Sequence, residues 1–380
     1  MEQAVTLTSP LDEMHKRLGA KMEEESNRLL PASYGDVAAE YKVVREGGAG
    51  LIDFSSRGRI EVAGTEAEQF LNGLVTNDVK ALEVQGWMRA AFPNAQGRLI
   101  ASVRVLRLSS DRFLFDTESS THERVLKTLE RFKLAGDFHV TDLTNEVAHI
   151  SVQGKGATQT IRETLGEEAA QVERLRVVEL KWRDHTLHLI RATHTAEEGF
   201  DLFVNSGDAI ALWDALVASG ALPVGFDALD ILRIEAGIPR YGVDVDETNV
   251  VLEAAGDDAV SFTKGCYIGQ EIIARIHWRG HVAKRLAGLS FDEQVEVRSG
   301  DRVKSTDDKE IGRITSVTFS PSLNCHIALA IIKYDYLAPG TTVRVIYGDA
   351  EQLSAHVTEL PFVRGSWYED AEQQRAESNA

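Results

Sequence analysis

The chain has 380 residues, 43% of them hydrophobic and 26% charged, with a formal net charge of −18. That length exceeds one ordinary core and predicts two or three domains, in a composition typical of soluble globular proteins. The acidic balance argues against nucleic acid bound over a broad surface, because phosphate neutralisation needs a basic face, and no apolar run of ~20 residues predicts a membrane span.

The first stretch, MEQAVTLTSPLDEMHKRLGAKMEEE, has no basic-then-apolar secretory pattern, so a cytoplasmic location is the expectation. Leu11, Met14, Leu18 and Met22 recur at helical spacing between Pro10 and Pro31, which predicts a helix there. From Gly50 the texture turns to short alternating segments. GLIDFSSRGRIEVAG reads as strand, turn, strand, and TEAEQFLNGLVTNDV as a helix capped by Thr65. GRLIASVRVLRLSSDRFLFDT reads as a strand pair turning at Ser109–Asp111, followed by a helix from Ser120 to Leu134. The order recurs as HTLHLIRAT, FDLFVN and the helix SGDAIALWDALVASG. A strand pair plus a helix, used twice, suggests two similar α+β units sharing a sheet. A helix over Asp227–Glu235 stops at Gly237 and Pro239, and past Lys284 turn signals recur at the spacing of a small barrel or sandwich. The closing YEDAEQQRAESNA is polar and expected to fray.

The sequence lacks a G-x-x-x-x-G-K-[ST] loop, a G-x-G-x-x-G turn, H-E-x-x-H and G-x-S-x-G. Its two cysteines, Cys266 and Cys325, fit a reducing compartment and cannot supply a four-thiolate metal site, so no metal ligands are expected. What stands out is KGCYIGQEIIARIHWRGHVAKR, residues 264–285. Lys264, Arg275, Arg279, Lys284 and Arg285 oppose the single acid Glu271 there, with His277 and His281 beside them. Gly265 and Gly269 bracket Cys266-Tyr267-Ile268, and Gln270 to Ala274 reads as a helix start. A thiol just ahead of a helix, near Lys264 and Arg275, leans toward thiolate and faces an anionic or electrophilic partner. The plainer alternatives are a small buried hydrophobe in a tight turn and a solvated basic patch.

KGCYIGQE resembles the signature octapeptide of the YgfZ family of folate-binding proteins, which act in iron–sulfur cluster assembly and repair, and ARIHWRGHVAKRL resembles its continuation. SPLDEMHKRLGAKM, GLIDFSSRGRIEVAG, FLNGLVTNDV, LRIEAGIPRYGVDVDE and PFVR extend the likeness to the broader aminomethyltransferase (T-protein) superfamily of the glycine cleavage system. The resemblance implies an α+β, three-domain, cloverleaf-like fold with two α+β units around a central hole and a C-terminal β-barrel. The corresponding division is a helical segment over 1–46 packed on the folate-binding region, α+β units over 47–145 and 146–283, a barrel over 284–368 and a flexible tail over 369–380.

The same resemblance implies tetrahydrofolate or a one-carbon derivative as cofactor. Glu235 matches a pterin anchor able to accept paired N–H donors, or else a surface helix carboxylate. Tyr241 stands to stack or hydrogen-bond beside it, or to be an ordinary core aromatic. Arg364 of PFVR, with Arg275 and Arg279, are candidates for the folate tail carboxylates. T-proteins carry an acidic pair after an N-x-x-G-G turn. Here those positions fall on Ala101 and Ser102, and no carboxylate lies between Asn94 and Leu108. Cys266 also stands where KGDFIG-type T-proteins have aspartate. The expectation is a folate-binding protein assisting iron–sulfur cluster assembly or client proteins, with Cys266 at the rim of the hole as the functional thiol. The motif residues Lys264, Gly265, Tyr267, Gly269, Gln270 and Glu271 surround that thiol. The alternatives are a folate-dependent aminomethyltransferase whose base comes from elsewhere, and a folate-binding scaffold with a buried, inert Cys266.

Overall fold

The N-terminal lead is not one long helix. In the computed structural model, which describes residues 9–25, 28–132, 136–293, 296–348 and 351–369, α1 (Asp12–Arg17) ends just before Gly19, whose φ of +76° closes the turn. The chain then forms a hairpin of β1 (Lys21–Glu25) and β2 (Arg28–Ser33), with Met22 opposite Pro31. Only Leu11 and Met14 of the apparent helical stripe are buried as helix neighbours; Leu18 is exposed. α2 (Val37–Arg45) follows, opened by Asp36, whose carboxylate accepts from the backbone N–H groups of Ala38 and Ala39.

The segment read as one strand–turn–strand pair is divided between two sheets. β3 (Gly50–Asp53) and β4 (Gly58–Ala63) do not pair with each other. Both are buried on both faces over most of their length, so alternation carried no information about their partners. The first sheet adds β5 (Gly86–Pro93), β6 (Leu99–Arg107), β7 (Arg112–Thr117) and β8 (His139–Asp142), in the order β5-β6-β7-β4-β8. α3 (Ala67–Asn72) and α4 (Ser119–Arg131) cover one face of it. Thr121, Val125 and Leu129 form the buried stripe of α4.

The second sheet uses β9 (Val147–Gln153), α5 (Ala157–Leu165), α6 (Glu167–Ala170), β10 (Val177–Trp182), β11 (His185–Arg191), β12 (Gly199–Asn205), α7 (Ala209–Ala218) and β13 (Leu222–Pro223). Its order is β10-β11-β12-β9-β3-β13, so the two units do not share a sheet as the repeated pattern suggested. Instead the sheets meet through side chains: Trp87, Leu106 and Leu114 of one pack on Val177, Ile190 and Phe203 of the other.

Three short helices then cross the junction: α8 (Phe226–Glu235), α9 (Val251–Ala254) and α10 (Gln270–Arg279). The rest is a closed barrel of β14 (Lys284–Ser290), β15 (Arg302–Ser305), β16 (Glu310–Ser320), β17 (Cys325–Lys333), β18 (Thr342–Tyr347) and β19 (Glu351–Thr358), ordered β14-β17-β16-β15-β18-β19. Leu289, Ile314, Ala330, Val345 and Val357 fill its interior. The polar tail beyond residue 369, expected to fray, lies outside the described residues.

Candidate functional site

A cavity of about 780 Å³ opens where the two sheets, the end of α8 and the barrel meet. β5 and β6 supply Trp87, Arg89, Ala90, Ser102 and Val103, and the turn after α8 supplies Gly237 to Pro239. Arg89, Arg174 and Arg285 give it a positive rim. Each is partly committed: Arg89 lies 3.9 Å from Asp258, Arg174 stacks on Trp367, and Arg285 donates to Asp257 at 3.1 Å.

The cavity floor is an ion network joining the sheets. Arg57 donates twice to Asp116, both at 2.8 Å, and Arg104 on β6 bridges Asp116 on β7 to Asp201 on β12. His194 reaches Asp201 at 2.9 Å, and the buried His149 lies between the two carboxylates, 3.6 Å from Asp116 and 3.3 Å from Asp201. Burial alone would raise the Asp116 carboxyl. Arg104 and Arg57, then His149, outweigh it and hold that carboxyl well below the usual carboxylate range. Asp201 is lowered in the same way by His194 and Arg104 against burial, and burial pushes the His194 imidazole down. Arg57, Arg104 and His194 face the cavity, and with both arginines held by Asp116 and Asp201 its floor is fixed and close to charge-balanced.

One wall of the cavity is shared with a smaller recess of about 150 Å³ on the side of α8 and the N-terminal hairpin. Leu30, Phe54, Phe226 and Leu229 give the recess an apolar part, Ser56, Asp230 and Arg233 a polar one, and Arg57, Glu118, His194, Ile238, Pro239 and Tyr241 line both spaces. Glu118 stands in that wall, and one of its oxygens accepts the Tyr241 backbone N–H at 3.1 Å. Burial raises its carboxyl above the ordinary value against the opposing pull of Arg57.

The residues singled out from sequence fall in several places. Tyr241 lines the cavity. Arg275 and Arg364 are exposed and do not line it, and the Arg279 side chain lies outside the described residues. Glu235 is fully buried behind the wall. Tyr41 donates to its two oxygens at 2.8 and 2.9 Å, Arg45 through Nε and Nη2 at 3.1 and 2.7 Å, and Ser320 at 2.5 Å. Arg45 in turn donates to Glu197 at 2.8 Å. Glu235 thus ties α8 to α2 and β16 with every acceptor site engaged, and it does not face the cavity.

Cys266 is exposed on the loop ahead of α10, and it is not among the cavity-lining residues, so the structure does not place it on the cavity wall. Its motif acts as a brace behind that wall. Lys264 is buried, donating to the carbonyls of Val75 at 2.9 Å and Asn77 at 2.6 Å, and burial pushes its amine down to about 8. Asn77 donates to the carbonyls of Arg89 and Asp258, both on the cavity. Tyr267 is buried under the Lys264 ammonium, Gln270 donates to the Gly265 carbonyl at 3.4 Å, and Glu271 is exposed. Gly269 has φ +77°, and a Cβ there would lie 2.4 Å from the Asn94 carbonyl oxygen, so only glycine lets the motif seat on the turn that opens β6.

Sequence reasoning missed Arg57, Arg104, Asp116, Glu118, His194 and Asp201. A usable signal existed in the charges set singly inside apolar strands, SVRVL and FLFDT, which must be paired if both faces are covered.

Residues 11–264 match the GCVT N-terminal domain family and residues 284–364 the glycine cleavage T-protein C-terminal barrel domain family. Similar proteins include an aminomethyltransferase of Xylella fastidiosa (strain M12), 33% identical over 361 residues that cover 93% of this chain and 96% of the relative. Another, from Symbiobacterium thermophilum, is 31% identical over 367 residues, covering 94% and 97%. In structure the chain is similar to glycine cleavage system aminomethyltransferase T from Bartonella henselae, with a TM-score of 0.86 at 24% identity over 94% of this chain and 98% of that one. The expected fold, two α+β units and a terminal barrel, is the one observed.

Proposed function

Because the chain belongs to the glycine cleavage T-protein family, we propose that it binds tetrahydrofolate or a one-carbon derivative in the cavity between the sheets and the barrel. Size supports this reading, since 780 Å³ is room for a folate-sized ligand. So does charge: a rim with Arg89, Arg174 and Arg285 suits an anionic tail in a protein that is otherwise acidic.

The finer reading is a folate-binding helper of iron–sulfur cluster proteins of the YgfZ type, with Cys266 as its functional thiol. The observation that carries it is the β6 wall, which presents Ser102 where aminomethyl transfer needs a carboxylate. A positioned acid or base supplies typically 10²–10⁴-fold in rate, and β6 offers none. The exposed setting of Cys266 supports a role toward a partner protein, and it speaks against a scaffold whose cysteine is buried and inert. Cys266→Ser is expected to lower iron–sulfur enzyme activity in cells severalfold while leaving tetrahydrofolate affinity unchanged. Full cluster-enzyme activity with Cys266→Ser would refute the thiol's role.

A second reading is an aminomethyltransferase, and the names of the similar proteins favour it over the cluster role. It gains one structural support, the cavity-facing Glu118, as a carboxylate from outside β6. Formation of methylenetetrahydrofolate with release of ammonia from an aminomethylated lipoyl carrier would decide for it.

A further inference from the structure

From the cavity wall we infer that Glu118 is the carboxyl that receives the ligand's ring, pairing with adjacent N–H donors on the edge of a planar heterocycle. The assignment rests on the folate reading above and moves ring recognition away from Glu235. Glu235 already accepts from Tyr41, Arg45 and Ser320 and is shut behind the wall.

Three acidic side chains line the cavity: Glu118, Glu253 and Asp258. Glu253 is committed to the Asn249 amide at 3.1 Å and the Val250 N–H at 3.3 Å. Asp258 is an exposed rim group beside Arg89. Glu118 differs from both. Among the described residues one of its oxygens holds a single backbone N–H and the other has no partner, and no cation closes an ion pair on it. A half-buried carboxyl left with open acceptor sites is the group a ligand would satisfy.

The surroundings fit a ring there. Leu30, Phe54, Phe226 and Leu229 supply the apolar part of the adjacent recess, which has about the volume of a two-ring heterocycle and also carries Ser119, Ser120, Asp230 and Arg233, and Glu118 stands between it and the larger cavity. A ligand with its ring at this wall would lead its tail into the larger space, toward the arginine rim.

The charges facing Glu118 are Asp116 on the same strand end, Arg57 from the turn after β3 and Arg240 after α8, with Asp230 and Arg233 of α8 in the same recess and His194 and Tyr241 in the shared wall. Arg57 is already held by both oxygens of Asp116. Burial raises the Glu118 carboxyl above its ordinary value, so it takes up a proton at higher pH than an exposed glutamate does. N–H donors arriving on it favour the carboxylate, and the proton leaves to solvent. Binding then releases protons wherever the free carboxyl carries one, and the release fades as pH rises.

Calorimetric titration of the full chain with tetrahydrofolate, in two buffers of different ionisation heat, reads affinity and proton release together. Wild type and Glu235→Gln, where it folds, are expected to bind with a proton release that shrinks as pH is raised. Glu118→Gln, which preserves shape, is expected to lose about tenfold or more in affinity, and the release with it. If Glu118→Gln binds within twofold of wild type with unchanged release, the assignment is wrong while the folate reading stands. If wild type does not bind tetrahydrofolate, both fall.

Discussion

Glu235→Ala is expected to weaken the fold by ~3–5 kcal/mol, the usual consequence of removing one partner from a buried ion pair. The reason is local. Arg45 is almost fully buried between Glu235 and Glu197, at 2.7 and 2.8 Å, and burial works against its charge until the two carboxylates overcome it. Taking away Glu235 leaves that guanidinium with one carboxylate, leaves Tyr41 with Ser322 as its hydroxyl partner and removes the acceptor of the Ser320 hydroxyl. Three elements that meet there, α2, α8 and β16, lose their common tie. Urea denaturation of the variant against wild type measures the effect. A midpoint unchanged within error, together with lost tetrahydrofolate affinity, would restore Glu235 as a ligand anchor and contradict the structural role.

Asp116→Ala is the second large effect, again ~3–5 kcal/mol, because two arginines depend on that carboxylate. Arg57 would lose its fork-shaped pair and keep only the weaker pull of Glu118, and Arg104 would keep only Asp201. The same network sets an acid limit. Asp116 and Asp201 have folded values well below 3.8, so their stabilisation is present above the unfolded carboxylate range and is lost as pH falls through the depressed values. His194 adds an earlier decline. Its folded value lies below 6.5, so the unfolded chain takes up its proton first, and stability falls as pH drops from 6.5 toward that lower value. Asp116→Ala should flatten the lower acid window and leave a protein already weak at neutral pH. Equal urea midpoints for wild type and variant at pH 7 would show that the network does not hold the sheets together.

Much of the fold was legible from residue patterns. The turn at Ser109–Asp111, the helix stopped ahead of Gly237 and the strand-only region after Lys284 all follow from local signals, and the barrel begins at Lys284. The N-terminal helix failed because Leu11, Met14, Leu18 and Met22 mimic one stripe across a glycine turn and a hairpin. The shared sheet failed because strand partners depend on long-range packing that the repeated pattern does not carry. The site divides the same way. The KGCYIGQE motif announced itself through glycine and cysteine, yet its buried lysine and close-packed Gly269 turned out to brace the turn into β6. Glu235 drew notice from its neighbours in sequence, while its true partners lie 85 to 194 residues away. Glu118 carried no local signal, because its distinction is what fails to surround it.

The proposed folate lies in the cavity between the sheets and the barrel. The most direct measurement of that placement is fluorescence titration of the full chain with tetrahydrofolate, on wild type and on Ser102→Trp, which plants a bulky ring in the β6 wall. Circular dichroism confirms that the variant folds. Saturable one-to-one binding by wild type, lost in Ser102→Trp, is the predicted result. No saturable binding by wild type, or equal binding by a folded Ser102→Trp, would contradict it.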